Sequence, residues 1–230
     1  MTGLPRQLTL DWPHRPSFAA EDFLAAPANR EALAAVARWP DWASRMLLLL
    51  GPEGSGKSHL GHLWAERAGA TVVHGETLAD ADVAACADAA AILIEDADRI
   101  GAREDRLFHI LNAVLQNQSF ALLTARTEPS AWALRTPDLL SRLRLAPLVG
   151  LGAPDFDLTE AVLFKLFSDR QLTVEPRVVA FIALRIERSL AAARRIVAAL
   201  DHEALARGRR VTRAMAAEVL REAGSSEEGP

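Results

Sequence analysis

Eight consecutive residues constrain this chain more than any others: Gly51-Pro52-Glu53-Gly54-Ser55-Gly56-Lys57-Ser58. They fit the pattern G-x-x-x-x-G-K-S, and their setting fits as well. Before them, Met46–Leu50 is an unbroken apolar run of the length and kind that forms a strand buried on both faces. After them, the spacing predicts a helix from Lys57 to Ala68, stopped by Gly69. A glycine-rich turn between strand and helix lets the backbone wrap tightly and aim its N–H groups at an anion, and the helix adds its positive end. The segment is therefore expected to cradle the phosphates of a purine nucleoside triphosphate or diphosphate. In that reading Lys57 reaches the β- and γ-phosphates and Ser58 places its hydroxyl on Mg²⁺. Gly51, Pro52, Glu53, Gly54, Ser55, Gly56 and the following His59 complete the expected nucleotide contacts.

The rest of the first two-thirds of the chain repeats the alternation. Asn29 is expected to cap a helix through about Ala37, ended by Pro40. Strands are predicted at Thr71–His74, Ile92–Ile94 and Phe120–Thr124, with a closing strand at Leu145–Leu148. Helices are predicted at about 80–89, at 104–116, and as short pieces at 130–134 and 137–143. Alternating strands and helices imply a mostly parallel α/β sheet between two helical layers. Near residue 150 the pattern changes. Gly150, Gly152 and Pro154 mark a hinge, followed by helical periodicity at about 159–170, 176–186, 189–206 and 212–221, with Thr212 and Asp155 or Asp157 as caps. The expected organisation is an extended arm at 1–17, an α/β nucleotide-binding domain at 18–152, a small helical domain at 155–222 and a flexible tail at 223–230.

Other residues fall where a nucleotide site needs them. Ile92-Leu93-Ile94 runs into Glu95, Asp96 and Asp98. A buried strand ending in carboxylates brings them to a metal and a γ-phosphate. Glu95 is the expected metal group together with Ser58, and Asp96 is expected to orient or activate the attacking water, though the two roles are interchangeable. Thr124 closes the next strand on the same edge of a parallel sheet, where its hydroxyl reaches phosphate or water. Arg142 reads either as a finger directed to a neighbouring subunit or as a surface arginine.

Composition narrows the function classes. The formal net charge of −4 argues against a large nonspecific DNA-binding surface. Arg194, Arg195, Arg207, Arg209 and Arg210 are either a local basic patch or solvated helix faces and a loop. No apolar run reaches a membrane span, and residues 1–15 lack a secretory core. Cys86 is the single cysteine and has no internal disulfide partner. A cytoplasmic protein is the expectation.

Taken in order, the phosphate loop, acidic strand end, polar residue on the next strand, arginine after a short helix and terminal helices resemble the AAA+ P-loop ATPases. Within them the chain is similar to the ATPase module of the replication initiator DnaA, and more so to the Hda/HdaA class of DnaA-homologous regulators. Leu47–Leu60, Ile92–Asp98, Leu122–Arg126 and Leu139–Leu143 carry the likeness, which spans about residues 18–222. The resemblance implies a helical lid, bound ADP or ATP with Mg²⁺, and Arg142 as the finger. It also implies a clamp-binding arm at Gln7, Leu8, Thr9, Leu10 and Asp11, whose partner is the DNA polymerase III β sliding clamp. Members of this class promote hydrolysis of ATP on DnaA and so repress replication initiation. Homodimers or higher homo-oligomers and indirect or weak DNA contact belong to the same expectation. Two departures stand out. Glu95 occupies a position where Asp is usual, which points to weak intrinsic hydrolysis. Ala191 falls at the lid position of the nucleotide-sensing arginine, leaving Arg188 or Arg194, three residues to either side, to compensate. The initiator's C-terminal DNA-binding domain has no counterpart in the sequence, so sequence-specific DNA binding is not expected. An AAA+ adaptor or loader that recruits a partner to DNA, and a P-loop small-molecule kinase, are the alternative readings.

Overall fold

A computed structural model describes residues 23–227. The Gln7–Asp11 segment lies outside the described residues. The chain divides into two compact units between Ala153 and Pro154.

The first unit is a parallel five-stranded sheet. Its strands are β1 (Met46–Leu50), β2 (Thr71–His74), β3 (Ala91–Glu95), β4 (Phe120–Ala125) and β5 (Leu148–Gly150), and they lie in the order β2-β3-β4-β1-β5. Alternation along each strand sorts side chains to two faces. On one face Met46, Leu48, Ile92, Ile94, Ala121 and Leu123 pack against α3 (Asp80–Ala87), α4 (Glu104–Gln116) and α5 (Pro137–Leu143). On the other, Leu47, Leu49, Ala91, Leu93 and Leu122 pack against α1 (Arg30–Ala37) and α2 (Lys57–Ala68). This three-layer α/β core is the expected fold class.

The α1/α2 face carries an aromatic cluster. Trp64 is buried on α2, stacked on Trp42 at 5.4 Å, with Trp39 edge-on at 6.2 Å. Phe120 meets Trp39 and Trp42 edge-on, and the Arg45 guanidinium covers its ring. Such rings bury large apolar areas, and offset or edge-to-face pairs add about 0.5–1.5 kcal/mol each.

The second unit is helical: α6 (Phe156–Asp169), α7 (Pro176–Ala183), α8 (Leu190–Arg207) and α9 (Arg213–Glu227). Its own core gathers Leu163, Phe167, Val179, Ile182, Val197, Leu200 and Ala216. Asp155 caps α6 by accepting the Leu158 N–H at 2.8 Å, and Thr212 accepts that of Met215 at the start of α9. No helix among the described residues is long and apolar enough to cross a membrane.

Four local expectations are corrected. Asn29 does not cap α1 with its side chain; its Oδ1 accepts the Ala26 N–H and its Nδ2 donates to the Leu24 carbonyl, closing the turn that enters the helix. The 130–134 helix is a single 3-10 turn at Pro129–Ala131. The closing strand is not Leu145–Leu148, because the turn after α5 continues to Ala146; pairing with β1 begins at Leu148 opposite Leu48. Helix α9 runs to Glu227, so helical backbone enters the segment expected as a tail.

Candidate functional site

The phosphate-loop residues sit at the C-terminal edge of the sheet, between β1 and α2. Gly54 (φ 70°) and Gly56 (φ 100°) take left-handed conformations that residues with a Cβ rarely adopt. Gly51 is fixed by close approach, since a Cβ there would lie 2.3 Å from the Leu151 carbonyl oxygen. Lys57 is buried and donates to the Gly51 carbonyl at 2.7 Å and the Pro52 carbonyl at 2.8 Å. The ammonium is thus held over the mouth of its own loop. Burial lowers the Lys57 pKa below the usual lysine value; Asp96 opposes that shift, Arg126 adds to it, and Asp98 and Glu53 oppose it. Asp96 is therefore the leading carboxylate in the field of Lys57. Pro52, Glu53 and Ser58 are exposed, and Ser55 is buried.

Strand parity decides where the acids point. Glu95 follows Ala91 and Leu93 in the alternation, so it faces α2. Its Oε2 lies 3.3 Å from His62 Nε2 on α2 and 3.8 Å from His74 Nδ1 at the end of β2. Ser58 is exposed in the first turn of α2, and Glu95 is buried at the end of β3. Asp96 adopts a left-handed conformation (φ 47°), and its N–H donates to Thr124 Oγ at 3.0 Å. The predicted Asp96 and Thr124 therefore meet, with the threonine hydroxyl holding the aspartate backbone. Among the described residues no cluster of three or more His, Cys, Asp or Glu is arranged to hold a metal ion.

Residues beyond the predicted set complete the edge. Asp98 Oδ2 accepts the Arg126 N–H at 3.1 Å, while the Arg126 guanidinium pairs with Glu53 at 3.0 Å. A chain of charge thus links the loop after β3, the end of β4 and the phosphate loop. Gly75, after β2, touches the same place, for a Cβ there would lie 2.4 Å from the Asp96 carbonyl oxygen. The charges of Arg126 and Asp98 were visible in the sequence; their pairing depends on parallel register and was not. Gly75 carried no signal of its own.

The remaining predicted residues are dispersed. His59 is buried on α2 with its ring edge-on to Phe23 at 5.4 Å. Arg142 is on α5, half-buried, with no carboxylate partner among the described residues. In the helical unit, Ser189 caps α8 by accepting the Ala192 N–H at 3.0 Å. Arg188 consequently lies outside that helix, and of the two candidate sensor arginines only Arg194 shares a helical face with Ala191.

The loop suits phosphate groups on its own evidence. Its conformation excludes side chains at the turn, a buried ammonium stands over it, and Ser55 Oγ, Glu95 Oε1 and Asp98 Oδ1 are buried polar atoms without a hydrogen-bond partner in the protein. Leaving such atoms unmatched costs about 1–3 kcal/mol each. A phosphate with a hydrated Mg²⁺ offers both the donors and the charge that such atoms can use.

No family model matches the chain. The chromosomal replication initiator DnaA of Cutibacterium acnes is 26% identical over 200 residues, covering 76% of this chain and 40% of that protein. The chain thus spans about two-fifths of the length of this curated relative. Domain III of Thermotoga maritima DnaA superposes with a TM-score of 0.78 at 19% identity, covering 92% of this chain and 98% of the other. AMPPCP-bound DnaA from Aquifex aeolicus gives 0.66 at 16% identity, covering 80% and 64%. The Thermotoga maritima RuvB branch-migration motor gives 0.64 at 19% identity, covering 84% and 66%. The α/β core, a parallel sheet between helices, has the fold of DnaA domain III.

Proposed function

We propose that this AAA+ chain, built like DnaA domain III, is a nucleotide-held regulator that represses replication initiation by stimulating hydrolysis of ATP bound to DnaA. The observation that carries this reading is the treatment of Glu95. Its Oε2 lies 3.3 Å from His62 and 3.8 Å from His74, while Asp96 stands in the field of Lys57. A site arranged this way suits holding ADP or ATP better than turning it over. Gly51–Ser58 would hold the phosphates, with Ser58 and Asp96 near the Mg²⁺ and Thr124 fixing the Asp96 backbone. Mg²⁺, when bound, neutralises phosphate charge. The protein's own part is to exclude side chains from the loop, present Lys57 and fix the carboxylates.

Arg142 is the group offered to the neighbouring nucleotide site. It has no carboxylate partner among the described residues, and its helix is anchored from α4. The Glu104 carboxylate accepts the N–H groups of Arg135 and Thr136 at 3.0 and 2.8 Å, just before α5 begins. An arginine supplied in trans to a phosphoryl-transfer site is worth about 10³–10⁵ in rate in the best-studied cases. The sliding clamp is the second partner, through Gln7–Asp11, and recruits the regulator to DNA.

The test is a reconstituted reaction with DnaA–ATP and DNA-loaded clamp, with and without this protein. Stimulated hydrolysis is expected, with loss of most of it in Arg142→Ala and slow turnover by the protein alone. Absence of any stimulation sinks the proposal.

A further inference from the structure

The helical unit presents a group of arginines that the proposed function does not use. Four arginines of this unit have carboxylate partners. Arg170 pairs with Asp201, Arg177 with Glu175, Arg195 with Glu187, and Arg207 with Glu203 and Glu218. Arg185, Arg209, Arg210 and Arg213 have none among the described residues, and all four are exposed. From Ala204 to Ala217 the sequence holds Arg207, Arg209, Arg210 and Arg213 and no carboxylate.

Packing brings two of these side chains together. Phe181 on α7 lies between two guanidiniums: Arg185 at 3.8 Å from the ring centre and Arg213, from the first turn of α9, at 4.8 Å. Arg210 is three residues from Arg213, which limits their Cα separation to about 11 Å. Leu184, beside Arg185, is 70% exposed. Ring faces attract cations, but they do not neutralise them. Two guanidiniums over one ring, with Arg209 and Arg210 within a few residues of Arg213 along the chain, form a surface suited to an external polyanion.

We propose that Arg185, Arg209, Arg210 and Arg213 bind the phosphodiester backbone of a nucleic acid. All four are arginines, whose planar fork matches phosphate oxygens two at a time. The exposed Leu184 and the edge of Phe181 supply an apolar margin for a base or sugar. Contact through arginines to phosphates makes the binding backbone-directed and strongly salt-dependent. This inference does not depend on the proposed action on DnaA.

The experiment is fluorescence anisotropy of labelled oligonucleotides of about 20 nucleotides with the full chain. Single-stranded DNA, duplex DNA and single-stranded RNA are separate arms that identify the source of the backbone. With all four arginines engaged, affinity for the bound form falls about 50- to 150-fold between 50 and 200 mM salt, from a slope of about 0.7–0.9 per phosphate. In Arg209→Ala/Arg210→Ala the salt slope drops to about half, and Arg213→Ala weakens binding further, each with an unchanged circular dichroism spectrum. Arg177→Ala, which removes an exposed arginine paired with Glu175, leaves affinity intact. Saturating ADP also leaves it intact. The proposal is overturned if no arm binds at 50 mM salt, if Arg177→Ala weakens binding as much as the double variant, or if ADP abolishes binding. Tighter capture of a polyglutamate peptide than of every oligonucleotide overturns it in favour of an acidic protein partner.

Discussion

Gly75 has no side chain, yet it governs the space available to Asp96. An added methyl group would stand 2.4 Å from the Asp96 carbonyl oxygen, a backbone atom that cannot swing aside. Gly75→Ala is therefore expected to cost about 1–3 kcal/mol, as overpacking does, measured by urea denaturation. Wild-type stability in that variant would mean that the ends of β2 and β3 have room to separate. Cys86 gives a second residue-scale prediction. Burial, with Asp82 adding to it, raises its thiol pKa to about 11 from 9.0. A raised acid pKa makes the folded state hold its proton longer than the unfolded one. The resulting stability is complete below pH 9 and lost as pH rises towards about 11. The native thiol should thus resist alkylation at neutral pH, and Cys86→Ala should flatten the alkaline decline in stability. At this scale the positions of Lys57, Asp96 and Thr124 were legible: they lie where strand ends and loop spacing put them. The partners of Glu95 were hidden, because His62 and His74 come from elements distant in sequence and meet it only through β3 alternation and β2–β3 register.

Among the elements, α5 is short, and its position rests on Glu104 as well as on its own buried Leu139 and Leu143. The Arg135 N–H, with Thr136, holds the Glu104 carboxyl below its ordinary pKa. A lowered carboxyl pKa means that the anchor is intact above the normal carboxylate range and weakens as pH falls through the lowered folded value. Glu104→Gln should speed hydrogen exchange at the Arg135 and Thr136 amides at neutral pH and cost on the order of 1 kcal/mol. Unchanged exchange would show that Leu139 and Leu143 hold α5 unaided. Long or sharply bounded elements were legible from sequence: β1, α2 and α4 begin and end where apolar period, Gly69 and the polar turns set them. The edge strand was not, because the apolar residues from Leu143 to Leu151 give no sign of where helix turn yields to sheet pairing. That boundary is set by β1, whose Leu48 N–H is taken by the Pro147 carbonyl.

For the whole molecule, the residues proposed to hold nucleotide and those proposed to reach the clamp are separate parts of one chain. Deleting residues 1–17 should abolish clamp binding in a pull-down while leaving nucleotide-induced thermal stabilisation unchanged. Nucleotide at a hundred times its Kd should contribute about 2.7 kcal/mol to both forms. Loss of that contribution on deletion would tie the arm to the nucleotide fold. The buried Trp64 has a practical consequence. It lies on the same helix as Lys57, about two turns further along, and stacks on Trp42. Indole emission depends on stacking and on solvent, so a small tilt of α2 as its first turn grips phosphate should alter the protein's own fluorescence. The molecule then carries its dye within its core, and adding ADP to unlabelled protein should change emission intensity or colour in a saturable way. A spectrum unmoved by saturating nucleotide would mean that α2 and the tryptophans behave as one optically silent block.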